Sequence, residues 1–197
     1  IETIAVDGSG RRRVTHEFAD SSLIPFAWPG DAGRILYTAA VSPEYSHIWT
    51  MSPAGTGFKR LTRNRRDEGD PAWSPDGQQI AFVRKRGATN GEIIVVPALG
   101  GPERTLREIR FVAFPAFSWL AWTPNGAQIA FASQSLDSGR STLFLMRLAD
   151  GKVRSLTTPP DGVIGDASPA FSSDGRSLAF LRWSSPTTST LLVQRLD

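Results

Sequence analysis

Acidic residues are the first candidates for chemistry. Asp67, Glu68 and Asp70 crowd one short stretch, and Asp161 and Asp166 fall in the matching part of a later one. Carboxylates gathered in a loop supply the hard oxygen ligands that Ca²⁺ takes in numbers. Glu68, Asp70 and Asp166 are therefore candidate binding residues, with Ca²⁺ as the candidate ion. The structural reading is preferred, because acids ahead of Pro are common turn formers and the spacing is not that of an EF-hand, so no metal ligand or cofactor is assigned. Nucleophilic chemistry has little to draw on. There is no Cys, and the two histidines, His16 and His47, come without a Gly-x-Ser-x-Gly elbow. No catalytic residue is assigned.

Two other groups of residues carry information. Arginines and lysines cluster at Arg11 to Arg13, at Lys59 to Arg66 and at Arg84 to Arg86. Two of these clusters belong to expected outer strands and one to a hairpin loop, so they are expected to spread around a solvated rim. No nucleic-acid binding is expected of this domain. Ile109 to Trp119 is unusually apolar and breaks the pattern of its surroundings. Exposed, Phe111, Phe114 and Trp119 would mark an interface; buried, they are core.

These residues hang between copies of one motif. Pro71 to Phe82 reads PAWSPDGQQIAF. It returns as LAWTPNGAQIAF at Leu120 to Phe131, as PAFSSDGRSLAF at Pro169 to Phe180, and in worn form at Phe26 to Tyr37. The anchor aromatics Trp28, Trp73, Trp122 and Phe171 recur every 45 to 49 residues, roughly the period of a four-stranded propeller blade. Each copy supplies a short inner strand, a tight Ser-Pro-Asp-Gly-like turn and a strand apolar on both faces, as a sheet sandwiched between neighbours requires. A variable loop, a third strand and an outer strand follow. Gly (18) and Pro (14) punctuate the chain with turns, and no amphipathic helix is legible.

The expected fold is all-β: a propeller of about four four-stranded antiparallel blades, alone or as part of a six- to eight-bladed ring. The blades fall near 23–62, 69–107, 119–157 and 167–197, with an outer strand at 11–15. The last blade lacks a fourth strand, which 11–15 would supply if the ring closes on itself. A second copy of the chain completing the ring is the alternative. The chain starts inside a repeat without Met and reads as a piece or processed form of a longer protein. No run reaches the ~18 apolar residues of a membrane-spanning helix, so membrane insertion is not expected.

The repeated Ser-Pro-Asp-Gly turn with Ile-Ala-Phe, followed by a GTGFKRLT-like turn at Gly55 to Thr62, resembles the TolB-type β-propeller family over nearly the whole chain. The resemblance implies a non-catalytic platform, typically periplasmic, that takes a protein partner or small ligand at a loop face. Similar repeats occur in the propellers of prolyl oligopeptidase-like peptidases and in sensory propellers of bacterial winged-helix regulators and kinases, which would place the domain in the cytoplasm or tether it to a membrane. Gly165 to Phe171 looks most like the regulator group.

Overall fold

The computed structural model describes residues 2–3, 7, 9–13, 24–27, 33–42, 45–111 and 119–196. All its regular elements are strands. A two-stranded sheet pairs β1 (Glu2–Thr3) with β2 (Arg12–Arg13). The first blade runs in chain order through β3 (Ile24–Ala27), β4 (Ile35–Ser42), β5 (Tyr45–Met51) and β6 (Lys59–Arg60). The second is β7 (Glu68–Trp73), β8 (Gln79–Lys85), β9 (Asn90–Pro97) and β10 (Arg104–Arg110). The third is β11 (Leu120–Trp122), β12 (Gln128–Gln134), β13 (Ser141–Arg147) and β14 (Val153–Ser155). The fourth has three strands, β15 (Gly165–Phe171), β16 (Ser177–Ser185) and β17 (Thr188–Arg195). Within every blade the pairing is antiparallel.

The motif turn explains why the hairpins close where they do. Ser74 Oγ donates to Asp76 Oδ1 at 2.5 Å, and the same carboxylate accepts from Gln78 N at 3.0 Å. Gln79 N donates back to Ser74 Oγ at 2.9 Å, and Gly77 takes φ 67°. Thr123 with Asn125 and Ser172 with Asp174 repeat the arrangement. The hydroxyl and the backbone N–H hold the Asp76 and Asp174 carboxyls below their ordinary range. The turn residues are thus consumed by the turn.

The second strands are apolar on both faces because each serves two interfaces. On β8, Ile80 and Phe82 pack with Leu36 and Ile48 of the first blade. Ala81 and Val83 pack with Trp122, Phe131 and Met146 of the third. Ala130 and Leu145 of the third blade meet Leu178 and Phe180 of the fourth. Trp122 adds a polar tie, its Nε1–H donating to the Ala72 carbonyl of the neighbouring inner strand at 3.1 Å. The fourth blade departs from the two-sided pattern. Its β16 alternates, and β17 is open, with Leu191 and Val193 exposed at 66% and 70%. In register, Leu191 faces Leu181 and Val193 faces Ala179, so one apolar face of this blade lies uncovered among the described residues.

The third and fourth blades are joined by a parallel bridge between Ser141 and Gly165. Glycine is required at the joint. At φ 142° a Cβ on Gly165 would sit 2.2 Å from the Ser141 carbonyl oxygen. Arg12–Arg13, in the segment that would supply the fourth strand if the ring closed on itself, pairs with Glu2–Thr3.

Candidate functional site

The inner strands reach further back than the sequence suggests, and this places the acids. Asp67 to Asp70 reads as a loop because Glu-Gly-Asp-Pro is turn-like composition; in the structure Glu68 to Asp70 opens β7. Asp166 likewise lies in β15. Glu68 is 1% exposed and Asp166 0%. Each pairs with an arginine at the same place on the next strand. Arg84 Nε and Nη2 donate to Glu68 Oε1 at 2.8 and 2.5 Å, and Nη2 also reaches Glu103 at 2.7 Å. Arg182 Nε and Nη2 donate to Asp166 Oδ1 and Oδ2 at 2.7 and 2.9 Å. The guanidinium carbons lie over Phe82 and Phe180 at 5.5 and 5.7 Å from the ring centres. Burial works against the charge on Arg84, but its bonds to Glu68 and Glu103 outweigh it, holding Arg84 more firmly protonated than a free side chain.

The other acids of the stretch go elsewhere. Asp67 takes Ser46 Oγ from the first blade and Lys85 Nζ at 2.9 Å. Desolvation raises its pKa, yet these bonds leave it below the ordinary value. His47 Nδ1 lies 3.3 Å from Glu68 Oε2, and burial lowers the pKa of the ring despite that neighbour. Asp70 sits in a β-bulge with φ 51°, the position Ser168 occupies in β15 with φ 56°. Desolvation pushes Asp70 up to about 7, opposed by the charge of Lys85. Asp161 pairs with Arg140. Asp67, Glu68, Asp161 and Asp166 each have a basic partner, and no group of three metal-ligating side chains occurs among the described residues.

The aromatic candidates are core. Phe111 is 7% exposed, and Trp119 is half-buried against the cluster shared by the second and third blades. Their rings meet edge-on at 4.8 Å. Gly91 admits the Phe111 ring, since a Cβ there would stand 2.6 Å from it. Phe114 lies outside the described residues.

Part of the basic clusters expected to spread around the rim meets on one face, while Lys59 lies at the far end of its blade against the Leu99 carbonyl. Arg65, Arg66, Lys85 and Arg86, with Tyr45 and Asp67, line a recess of about 370 Å³ between the first and second blades. Arg86 also borders a groove of about 800 Å³ between the second and third. Ile109, Phe131, Phe144 and Val153 give that groove apolar walls, and Arg107 and Arg110 stand at its rim. Arg110 is held by Ser133, whose Oγ accepts from Arg110 N at 3.0 Å and donates to Arg110 O at 3.3 Å. Only a folded register brings these residues together. Their shared offset from the anchor aromatics is the signal that would have found the buried pairs.

No family model matches the chain. The chain is 26% identical over 136 residues to the Tol-Pal system protein TolB of Nitratidesulfovibrio vulgaris, covering 68% of this chain and 28% of that protein. Superposed on the crystal structure of TolB from Acinetobacter baumannii, it gives a TM-score of 0.76 at 20% identity, over 98% of this chain and 45% of that one. The chain has the TolB-type β-propeller fold. This TolB-type propeller is also 30% identical over 96 residues to the uncharacterized peptidase YuxL of Bacillus subtilis, covering 49% of this chain and 14% of that protein. It thus spans about a quarter or less of the length of the curated relatives it matches.

Proposed function

We propose that residues 1–197 form a single non-catalytic recognition domain that holds a protein partner against a loop face. One observation carries this reading. The ionisable side chains best placed for chemistry, Glu68, Arg84, Asp166 and Arg182, are locked into buried pairs, while Arg65, Arg66, Arg86, Arg107 and Arg110 border open grooves between blades. A stiff scaffold with variable loops is the usual arrangement for recognition. The likeness to TolB supports a periplasmic protein of this kind. The uncovered face of the last blade supports a second copy of the chain as the surface that covers Leu191 and Val193 in isolation. Of the candidate contacts, Asp70 is the acid that a partner can still engage, because it has no ion-pairing arginine.

The test is capture of partners by cross-linking from a bacterial envelope extract, together with sedimentation of the purified chain. Specific capture and a dimer support the reading. A chain that sediments as a monomer at every concentration removes the second-copy element. The YuxL match favours one other reading, the propeller of a peptidase. Hydrolysis of peptide substrates by the parent protein, with loss on deletion of these residues, would establish that one.

A further inference from the structure

Four arginines on the hairpin-loop face have no ion-pair partner among the described residues. Lys85 is paired with Asp67, and Arg86 with Glu92 and Glu108. Arg65 and Arg66, in the recess between the first and second blades, are exposed and unpaired. So are Arg107 and Arg110, at the rim of the groove between the second and third. Arg86 borders both depressions, so they form one track across three blades. Asp67, Glu108 and Asp137 also line these depressions, but Asp67 and Glu108 are paired with Lys85 and Arg86, so the four unpaired arginines leave an excess of positive charge that attracts an anionic partner and steers its approach.

Building on the proposed recognition role, we infer that this track binds an acidic peptide segment of a partner protein, with carboxylates on the two arginine pairs and an apolar side chain in the groove. The apolar walls decide between polyanions. Single-stranded nucleic acid binds through exposed rings on which bases stack. Here Phe131 is 1% exposed and Ile109 3%, and Phe131 stacks on Phe144 at 5.7 Å. Phe144 alone is part-exposed, so the groove offers an apolar slot with one partly open ring and not the run of free ring faces that successive bases need. A slot beside arginines fits a leucine or similar side chain flanked by acids. Arg110 is fixed at the edge of that slot, because its backbone is bonded in both directions by Ser133. The opposite face carries the Asp76 and Asp174 turns, and the recess beside Asp174 is lined by a single arginine, Arg154.

The experiment measures binding of a labelled peptide of Glu-Glu-Leu repeats to the whole chain by fluorescence anisotropy. A Lys-Lys-Leu peptide and a single-stranded DNA oligonucleotide serve as comparisons. Two variants reverse the track, Arg65→Glu with Arg66→Glu, and Arg107→Glu with Arg110→Glu. A third, Arg154→Glu with Arg176→Glu, alters the opposite face. Conservative Arg→Gln versions and thermal melts show that folding is intact. The expected result is acidic-peptide binding that weakens with salt and falls about tenfold in each track variant, but not in the opposite-face variant. Replacing Leu by Ser in the peptide should weaken it further. Equal losses in all three variants, or none, overturn the inference. Tighter DNA binding lost in the same track variants would assign the face to nucleic acid instead. If envelope partners are captured but persist on the track variants, the recognition role stands and this site does not.

Discussion

His47 and Glu68 face each other across the boundary between the first and second blades, with Nδ1 and Oε2 3.3 Å apart and both side chains almost wholly buried. Glu68 is at the same time the carboxylate that holds Arg84. One buried acid therefore ties a histidine on one blade to an arginine on the next.

That contact makes the blade boundary sensitive to acid. The pKa of His47 is lowered by burial from its ordinary 6.5. The unfolded chain then takes up a proton at higher pH than the folded one, so stability is lost as pH falls below about 6.5. Followed by circular dichroism, the melting temperature of the parent chain should therefore fall relative to that of His47→Gln between pH 7 and pH 5.

Asp70 works in the opposite direction. Its carboxyl is pushed up to about 7, so the folded chain holds a proton that the unfolded chain releases near 3.8. Stability from this group is full below about pH 3.8 and is lost as pH rises towards 7. Asp70→Asn should therefore raise the melting temperature at pH 8 and have little effect at pH 4. Asn suits the replacement because it tolerates the φ of 51° found there.

Removing one partner of a buried ion pair leaves the other charge stranded. Arg84→Met should destabilise the chain by about 3 kcal/mol in urea unfolding. The double change Arg84→Met with Glu68→Leu should recover much of that loss. Arg182→Met should cost less, since Arg182 is more exposed, at 24% against 8% for Arg84.

The joint between the third and fourth blades should be equally specific. Gly165→Ala places a methyl group against the Ser141 carbonyl and should cost about 3 kcal/mol. Gly87→Ala has a similar positive φ, 134°, but open space around it, and should cost markedly less. Comparable losses in the two would show that backbone conformation, not crowding, sets the requirement.

The blades were legible because Ser74 to Gly77 and its copies bond to themselves and so look alike wherever they occur. The acids were harder to place. Glu68-Gly69-Asp70-Pro71 has the composition of a turn, and only the bulge at Asp70 lets it continue as strand. The pairing of Glu68 with Arg84 depends on strand register, which composition does not encode. Arg65 and Arg86 meet only because β7 pairs with β8 in the register that sets Glu68 opposite Arg84. Phe111 drew notice for breaking the repeat, and the cause is packing against Gly91.

The self-bonded turns also bear on how the chain assembles. Ser74 with Asp76, Thr123 with Asn125 and Ser172 with Asp174 close over two residues, before any distant segment has to arrive. Hairpins nucleated this way form within microseconds, and contacts fall mainly between elements adjacent in sequence. Such a chain can begin folding at any blade and propagate outward. Weakening a turn should thus slow folding and leave the unfolding rate nearly unchanged.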